Sequence, residues 1–326
     1  MSDVLLEVAG LRVSYGAGER SMLVLRELSF AIRSGEAVGL LGESGSGKTS
    51  TALAILGLLP PVALADGSVR LRGQELVNAS EEEFQHVRGA QISFIPQEPS
   101  LSLNPVMRAV DHVAAVVRAH TRLSRRERLE RAQAALKLIG LEDERLHNSY
   151  PHQLSGGQQQ RVLIAQAMVC RPALVIADEP TGSLDPATEQ EVLALLRGLV
   201  EQLKVSLFLI THDPRVLGAI ADRVMVMYAG RIVESGPASD VLQSPLHPYT
   251  RGLLRCLLQS SRDAAQPRDR HVPSIAGPPP DFHQLPPGCS FEPRCQDRMK
   301  RCNEAEPSAS ILGAREVSCF LYEQRR

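Results

Sequence analysis

Eight consecutive residues, Gly42, Glu43, Ser44, Gly45, Ser46, Gly47, Lys48 and Thr49, have the composition of a loop that wraps phosphate. Glycines let backbone N–H groups curl around a β-phosphate, Lys48 neutralises the β and γ oxygens, and Thr49 offers a hydroxyl to Mg2+. A helix starting at Lys48, with Ser50 in its first turn, adds the positive potential of its N-terminus. Much further along, Asp178 and Glu179 close an apolar run. In that place Asp178 suits Mg2+ held through water, and Glu179, one residue further out, suits polarising an attacking water. Two adjacent carboxylates also cap turns, so they acquire this meaning from the loop at 42–49. His212 ends the next apolar run, within reach of a γ-phosphate, although a lone histidine is more often structural. Gln97, after Phe94, Ile95 and Pro96, is a candidate ligand of Mg2+ or of the attacking water.

Leu154, Ser155, Gly156, Gly157 and Gln158 form a second unusual run. Ser155 is a good N-cap and Gln158 stands at the third helical position, which together make a capping box. The helix running through Arg161 to Val169 therefore opens on two glycines that leave its N–H groups bare to an anion. An ordinary capped helix is the competing reading. A second phosphate-facing terminus makes best sense if it completes the site of another subunit.

Six cysteines are present, and Cys289, Cys295, Cys302 and Cys319 fall close together near the end of the chain. The first ten residues hold no basic leader and no apolar signal core, which predicts a chain that stays in the cytosol. In that compartment clustered cysteines point to metal before disulfides. Zinc favours closely spaced Cys pairs, and none occurs here, so the spacing alone is a weak signal. Four thiolates also suit a 4Fe–4S cluster. Free buried thiols and a zinc knot stay open. Cys170 and Cys256 read as structural.

The elements that must position these residues alternate. Residues 5–8, 11–15 and 28–32 read as short strands, bounded by Gly16, Gly18, Ser34 and Gly35. A wholly apolar strand, Ala37–Leu41, has the character of a parallel sheet's interior and leads into the glycine loop and a helix from about Lys48 to Leu58. A second small β region covers Gly67 to Gln97. From about Pro105 to Cys170 the pattern is helical. There Ser124 and Glu127 form a capping box, and Leu129, Ala132, Leu136 and Ile139 share a face that stops at Gly140. The arginines of that helix interleave with Glu127 and Glu130, as on a solvated face. Strands at Leu174–Ala177, Ser206–Ile210, Arg223–Met227 and Arg231–Glu234 enclose a helix at Thr188–Leu203. Strand–helix alternation with polar residues at the strands' carboxyl ends is α/β architecture with its ligands at that edge. From Gly236 the character changes. Pro267, Pro273, Pro278, Pro279, Pro280, Pro286 and Pro287 predict an extended tail leading into the cysteines.

The 326 residues carry 36 Lys and Arg against 37 Asp and Glu, a net charge of −1, so no bulk electrostatic pull toward nucleic acid exists. No apolar run approaches the ~18 residues that a membrane span needs. The stretch from Thr51 to Ala65 comes nearest and is broken by Pro60 and Pro61.

Taken in order, Tyr15, the loop at 42–49, Gln97, the run at 154–158, Asp178 and Glu179, Asp185 after Ser183 and Leu184, and His212 resemble the ATP-binding subunits of ABC transporters. The resemblance covers about residues 5 to 240. It implies a P-loop NTPase fold of the α/β class, with a RecA-like core, an antiparallel β subdomain and an α-helical subdomain at about 98–170. A C-terminal extension at 241–326 would follow the ATPase domain of 1–240. It implies that Tyr15 stacks on adenine, Glu179 is the catalytic base, Asp185 lies in a loop crossing a dimer interface, and His212 contacts the γ-phosphate. Ser155, Gly156 and Gly157 would grip the ATP on the partner's loop, so that two ATP molecules lie between two such domains. Residues 102–107, 150–154, 247–251 and 287–295 narrow the resemblance to the oligopeptide/dipeptide-importer branch. Gln158-Gln159-Gln160-Arg161 and Glu98 depart from that branch's usual residues without removing one of assigned chemistry.

That branch implies Fe–S at the four cysteines. It further implies two transmembrane permease subunits, a second ABC ATPase (itself or a paralogue), an external solute-binding protein, and a peripheral place on the cytoplasmic face of the inner membrane. The competing function is a soluble ABC-type ATPase acting on ribosomes or DNA. Such proteins usually carry two ATPase units or a long coiled coil, and this chain has one P-loop and no heptad run.

Overall fold

A computed structural model describes residues 3–16, 18, 21–263 and 274–323. The chain opens with β1 (Val4–Tyr15) and β2 (Met22–Arg33), then β3 (Ala37–Leu41), α1 (Lys48–Ile55), β4 (Ala63–Leu71) and β5 (Gln74–Glu75). Next come α2 (Glu81–Val87), β6 (Ile92–Ile95), α3 (Pro99–Ser102), α4 (Ala109–His120), α5 (Arg125–Leu138), α6 (Glu144–His147) and α7 (Gly156–Met168). They are followed by β7 (Leu174–Asp178), α8 (Pro186–Leu203), β8 (Ser206–Thr211), α9 (Pro214–Ile220), β9 (Arg223–Tyr228) and β10 (Arg231–Pro237). The chain closes with α10 (Ala238–Gln243), α11 (Pro248–Asp263), β11 (Ala309–Leu312) and β12 (Arg315–Ser318). None of the described helices is long and apolar enough to cross a membrane.

These elements form two compact units. One comprises Met1–Leu5, Ile32–Ala37 and Ala79–Leu209. In it β7 lies between β8 and β6, and β6 runs parallel to β7 with Ile92 opposite Leu174 and Ile95 opposite Ala177. All five residues of β7 are buried, so its apolar run is that of a strand covered on both faces. Helices α4, α5 and α7 pack on one another. The capping box opens α5 as the sequence predicts: Glu127 N–H donates to Ser124 Oγ at 3.3 Å and Ser124 N–H to Glu127 Oε2 at 2.8 Å. Gly140, at φ 80°, takes the left-handed turn that ends it.

The sequence reading of 67–97 as a β region misses α2. Ser80 and Glu83 form a reciprocal cap at its start, while Phe84 and Val87, three apart, turn inward. A seven-residue helix is short enough to be hidden between two strands.

The other unit comprises Leu6–Ala31, Val38–Asn78 and Ile210–Arg326. Its first sheet has the order β2-β1-β4-β5. The two strands read at 5–8 and 11–15 are a single strand, antiparallel to β4, with Leu6 opposite Leu71 and Tyr15 opposite Ala63. The register shifts between Ala9 and Arg12, where Gly10 at φ 59° forms the irregularity that mimics a turn in the sequence. The second set of strands has the order β11-β12-β10-β9-β3, with β3 parallel to β9 and the others antiparallel. The tail read as extended therefore ends in a hairpin, β11–β12, that adds to the edge of β10. Pro267 and Pro273 lie outside the described residues.

Candidate functional site

In the second unit the glycine loop runs from β3 into α1. Gly42 is required by close approach: a Cβ there would lie 2.5 Å from the Met227 carbonyl oxygen and 2.7 Å from Ser46 Oγ. Gly47, at φ 111° and ψ 4°, is the N-cap of α1 and turns the chain in a conformation L side chains avoid. The Ser46 carbonyl accepts from Gly230 N–H at 2.9 Å, which ties the loop to the β9–β10 turn. Lys48 is buried, and its Nζ donates to the carbonyls of Gly42 and Glu43 at 2.8 and 2.9 Å. The ammonium thus sits in the bowl of the loop where the phosphates of a nucleotide belong. Ser46 Oγ is buried with no hydrogen-bond partner among the described residues, a polar group that an incoming phosphate would satisfy. Ser44, Gly45 and Thr49 are exposed on the rim. Ser50 Oγ and Tyr15 Oη are 3.0 Å apart, which holds the half-buried Tyr15 ring beside the first turn of α1. His212, exposed, lies in this unit and precedes Asp213, the N-cap of α9. Asp213 is held below the usual carboxylate range: burial pushes it up, and its bonds from Arg215, with the nearby His212, outweigh that.

In the first unit Asp178 is the buried last residue of β7, and Glu179 turns outward at φ 46°. Gln97 Nε2–H donates to Glu179 Oε2 at 3.0 Å, so the two residues singled out for the attacking water touch each other. Gly182 N–H donates to the Glu179 carbonyl at 3.1 Å and fixes the turn. Asp185 caps α8, accepting from the N–H groups of Ala187 and Thr188, both at 3.1 Å. The bond with the Thr188 side chain, and then its N–H, hold the Asp185 carboxyl below its ordinary value. Ser155 caps α7 as its sequence predicts, with Gln158 N–H to Ser155 Oγ at 3.3 Å and Ser155 N–H to Gln158 Oε1 at 2.9 Å. Gly156 is exposed in the first turn, and Gly157 is buried against α8, where a Cβ would stand 2.4 Å from Thr188 Cγ2. The capped glycine terminus and the Asp185 turn are therefore built as one assembly.

The cysteine tail forms a pocket lined by Cys289, Cys295, Cys302 and Cys319 together with Phe291 and Phe320. All four are unbridged. Burial pushes the Cys289 thiol up to about 12 and Cys295 up to about 11, and raises Cys319 as well. Among the described residues, no group of three or more His, Cys, Asp or Glu side chains is arranged to hold a metal ion. Cys170 lies just past α7 and Cys256 within α11, and burial raises both thiols. Sequence reasoning missed Tyr249 and Arg294, which reach the glycine loop from the C-terminal region; no local pattern marks such long-range contacts.

A lysine-filled glycine bowl ahead of a helix, a carboxylate pair ending a buried strand and a serine-capped glycine helix terminus together define an ATPase of the ATP-binding-cassette class. Comparison with known proteins agrees. Residues 25–182 match the family described as ABC transporter, and residues 233–302 that described as oligopeptide/dipeptide transporter, C-terminal region. The oligopeptide transport ATP-binding protein OppD of Salmonella typhimurium is 40% identical over 320 residues, 98% of this chain and 94% of that protein. The dipeptide transport ATP-binding protein DppD of Bacillus subtilis is 38% identical over 328 residues, 99% of this chain and 96% of that one. Among solved structures, the ATP-binding cassette MJ0796, a dimer in a post-hydrolysis state bound to ADP and Pi, is 31% identical with a TM-score of 0.64, covering 72% of this chain and 98% of that one. The chain belongs to the ABC transporter ATP-binding family, in the branch that carries the oligopeptide/dipeptide transporter C-terminal region.

Proposed function

We propose that this ATPase is the energy-coupling subunit of an importer for oligopeptides, dipeptides or related small solutes. The observation that carries the reading is that the likeness continues past the cassette, through the C-terminal region, over 98% of the chain. Two permease subunits would form the membrane path, a second ATPase (another copy or a paralogue) the partner, and an external binding protein would deliver solute. The chain would then sit peripherally at the cytoplasmic face of the membrane. Its organisation would be an ATPase domain at 1–240, with a helical subdomain at about 98–170, and an extension at 241–326.

The residues divide the work. Tyr15 stacks on adenine, and Gly42, Glu43, Ser44, Gly45, Ser46, Gly47 and Ser50 shape the phosphate loop. Lys48 draws charge from the β and γ oxygens. Thr49, Asp178 and Gln97 are the residues that would hold Mg2+, directly or through water, and the ion would supply charge neutralisation at the phosphates. Glu179 takes the proton of the attacking water while Gln97 orients it, and His212 senses the γ-phosphate. Ser155, Gly156, Gly157 and Gln158, with Asp185, complete the partner's site, where the bare N–H groups of α7 meet phosphate. The test is co-purification: the chain should be recovered from membranes with two permease subunits, and peptide-loaded binding protein should raise its ATP turnover several-fold. Recovery with polysomes or DNA instead would overturn the reading.

We infer further that the four-cysteine pocket holds a 4Fe–4S cluster. Zinc needs its sulfurs within about 3.8 Å of one another to reach ~2.3 Å Zn–S bonds. All four thiols line one pocket here, and four thiolates are the ligand set a 4Fe–4S cluster takes. Buried thiols with raised pKa values would give up protons as such a group binds. Anaerobically purified protein should be brown, with about four irons per chain, and Cys302→Ser should lose both colour and iron. A colourless, iron-free wild type would refute it, and one zinc per chain would replace it.

A further inference from the structure

Glu43, the first variable residue of the phosphate loop, is held on every polar side. Its N–H donates to Tyr249 Oη at 2.9 Å, and its carbonyl accepts from Lys48 Nζ at 2.9 Å. Its carboxylate takes a forked pair from Arg294, Nη1 to Oε2 at 2.8 Å and Nη2 to Oε1 at 3.1 Å. Two of these three partners lie outside the cassette, in the C-terminal region. Arg294 is itself buried and fastened: Nε donates to the Ala276 carbonyl at 3.1 Å and Nη1 reaches Tyr228 Oη at 3.5 Å. Beneath it the rings of Tyr228, Tyr249 and Phe291 pack with centroids 4.5 to 5.5 Å apart.

The place of this pair makes it more than a packing contact. A buried ion pair recovers little net stability, since desolvating both ions offsets their attraction. At the loop it does something apolar residues would not. It neutralises a carboxylate standing beside the seat of a polyphosphate, and its planar fork sets the direction of the Glu43 backbone. That backbone carries one of the two carbonyls on which Lys48 rests. Arg294 also ends the short 3-10 turn Glu292–Arg294, between Cys289 and Cys295 of the thiol pocket. The turn flanked by those cysteines thus carries the guanidinium that grips the loop.

We propose that Arg294 is a positioning residue for the nucleotide site, acting from the C-terminal tail through Glu43, so that the order of the tail sets nucleotide affinity. This rests on the phosphate loop being the nucleotide seat, as read above. The experiment is a calorimetric titration of the full-length chain with MgADP, run beside thermal unfolding. Arg294→Ala leaves the Glu43 carboxylate uncompensated beside the phosphates. Its Kd is expected to rise on the order of tenfold. Adding Glu43→Gln removes that charge and should restore most of the affinity, to within about threefold of the wild type. A merely structural arginine would show no such rescue. Arg294→Lys, which keeps the charge but not the fork, should raise Kd by about threefold with its unfolding midpoint preserved. That variant decides the matter if Arg294→Ala does not fold. Wild-type Kd in a folded Arg294→Ala or Arg294→Lys protein, or a double variant as weak as Arg294→Ala, would overturn the proposal. Lys48→Ala is the reference: if it binds MgADP normally, the loop is not the nucleotide seat and the functional reading falls. If it loses binding while the Arg294 variants keep it, only this inference falls.

Discussion

Glu179→Gln is expected to slow ATP hydrolysis by about a thousandfold while leaving nucleotide binding in place. The residue follows a strand buried along its whole length, and its turn is pinned by the bond from Gly182 N–H, so its carboxylate is delivered to one location. Gln97 already bonds to Oε2 at 3.0 Å, so the residue proposed to orient the water and the proposed base are held together. Glutamine matches glutamate in size and can still accept from Gln97, but it cannot take a proton from water. The chemical step should fail without disturbing the fold. If ATP is sandwiched between two chains, the unreacted nucleotide should also hold them together. Phosphate release and size-exclusion chromatography with MgATP read both effects. Turnover at the wild-type rate would remove Glu179 from the role of base.

Gly157→Val is expected to lower hydrolysis on the order of a hundredfold, for a different reason. At this position even a Cβ meets Thr188 Cγ2 at 2.4 Å, and valine adds two methyl groups to that collision. Thr188 sits in the first turn of α8, whose cap is Asp185, so relief of the clash displaces the start of α7 and the Asp185 turn together. Both belong to the surface that would face a partner's ATP. The chain's own phosphate loop lies on other elements, so its affinity for MgADP should change little. Equal losses of binding and turnover would contradict the division of labour. Ser155→Ala probes the same terminus more gently, removing a cap worth about 1 kcal/mol.

The contrast between these residues and Arg294 shows what could be read from order along the chain. The glycine loop, the carboxylate pair and the capped terminus at 155–158 each consist of neighbours whose spacing is itself the geometry. A cap spans four residues, and a phosphate loop eight, so local sequence contains the whole device. Buried strands were legible for the same reason: β3 is an unbroken apolar run, and β7 is one that closes on Asp178. Where two local signals compete, sequence pattern and structure part. Gly10 resembles a turn between two strands, yet it is an irregularity inside β1, because pairing with β4 on both sides carries the strand through it. The seven-residue α2 lies hidden between strands, although Ser80 and Glu83 mark its cap.

The sequence by itself thus determined the class of the protein and the local devices it contains: the glycine loop, the carboxylate pair and the capped terminus, with four cysteines close together near the chain's end. Tertiary structure alone decided what that tail does to the rest. The hairpin β11–β12 acquires its place only by pairing with β10, through contacts such as Val317 opposite Glu234. The fork from Arg294 to Glu43 joins residues 251 positions apart. No periodicity or spacing encodes such a pair, since an ion pair depends on where two side chains end after the whole unit has folded. Its cost of desolvation is met only when both partners arrive buried and correctly aimed.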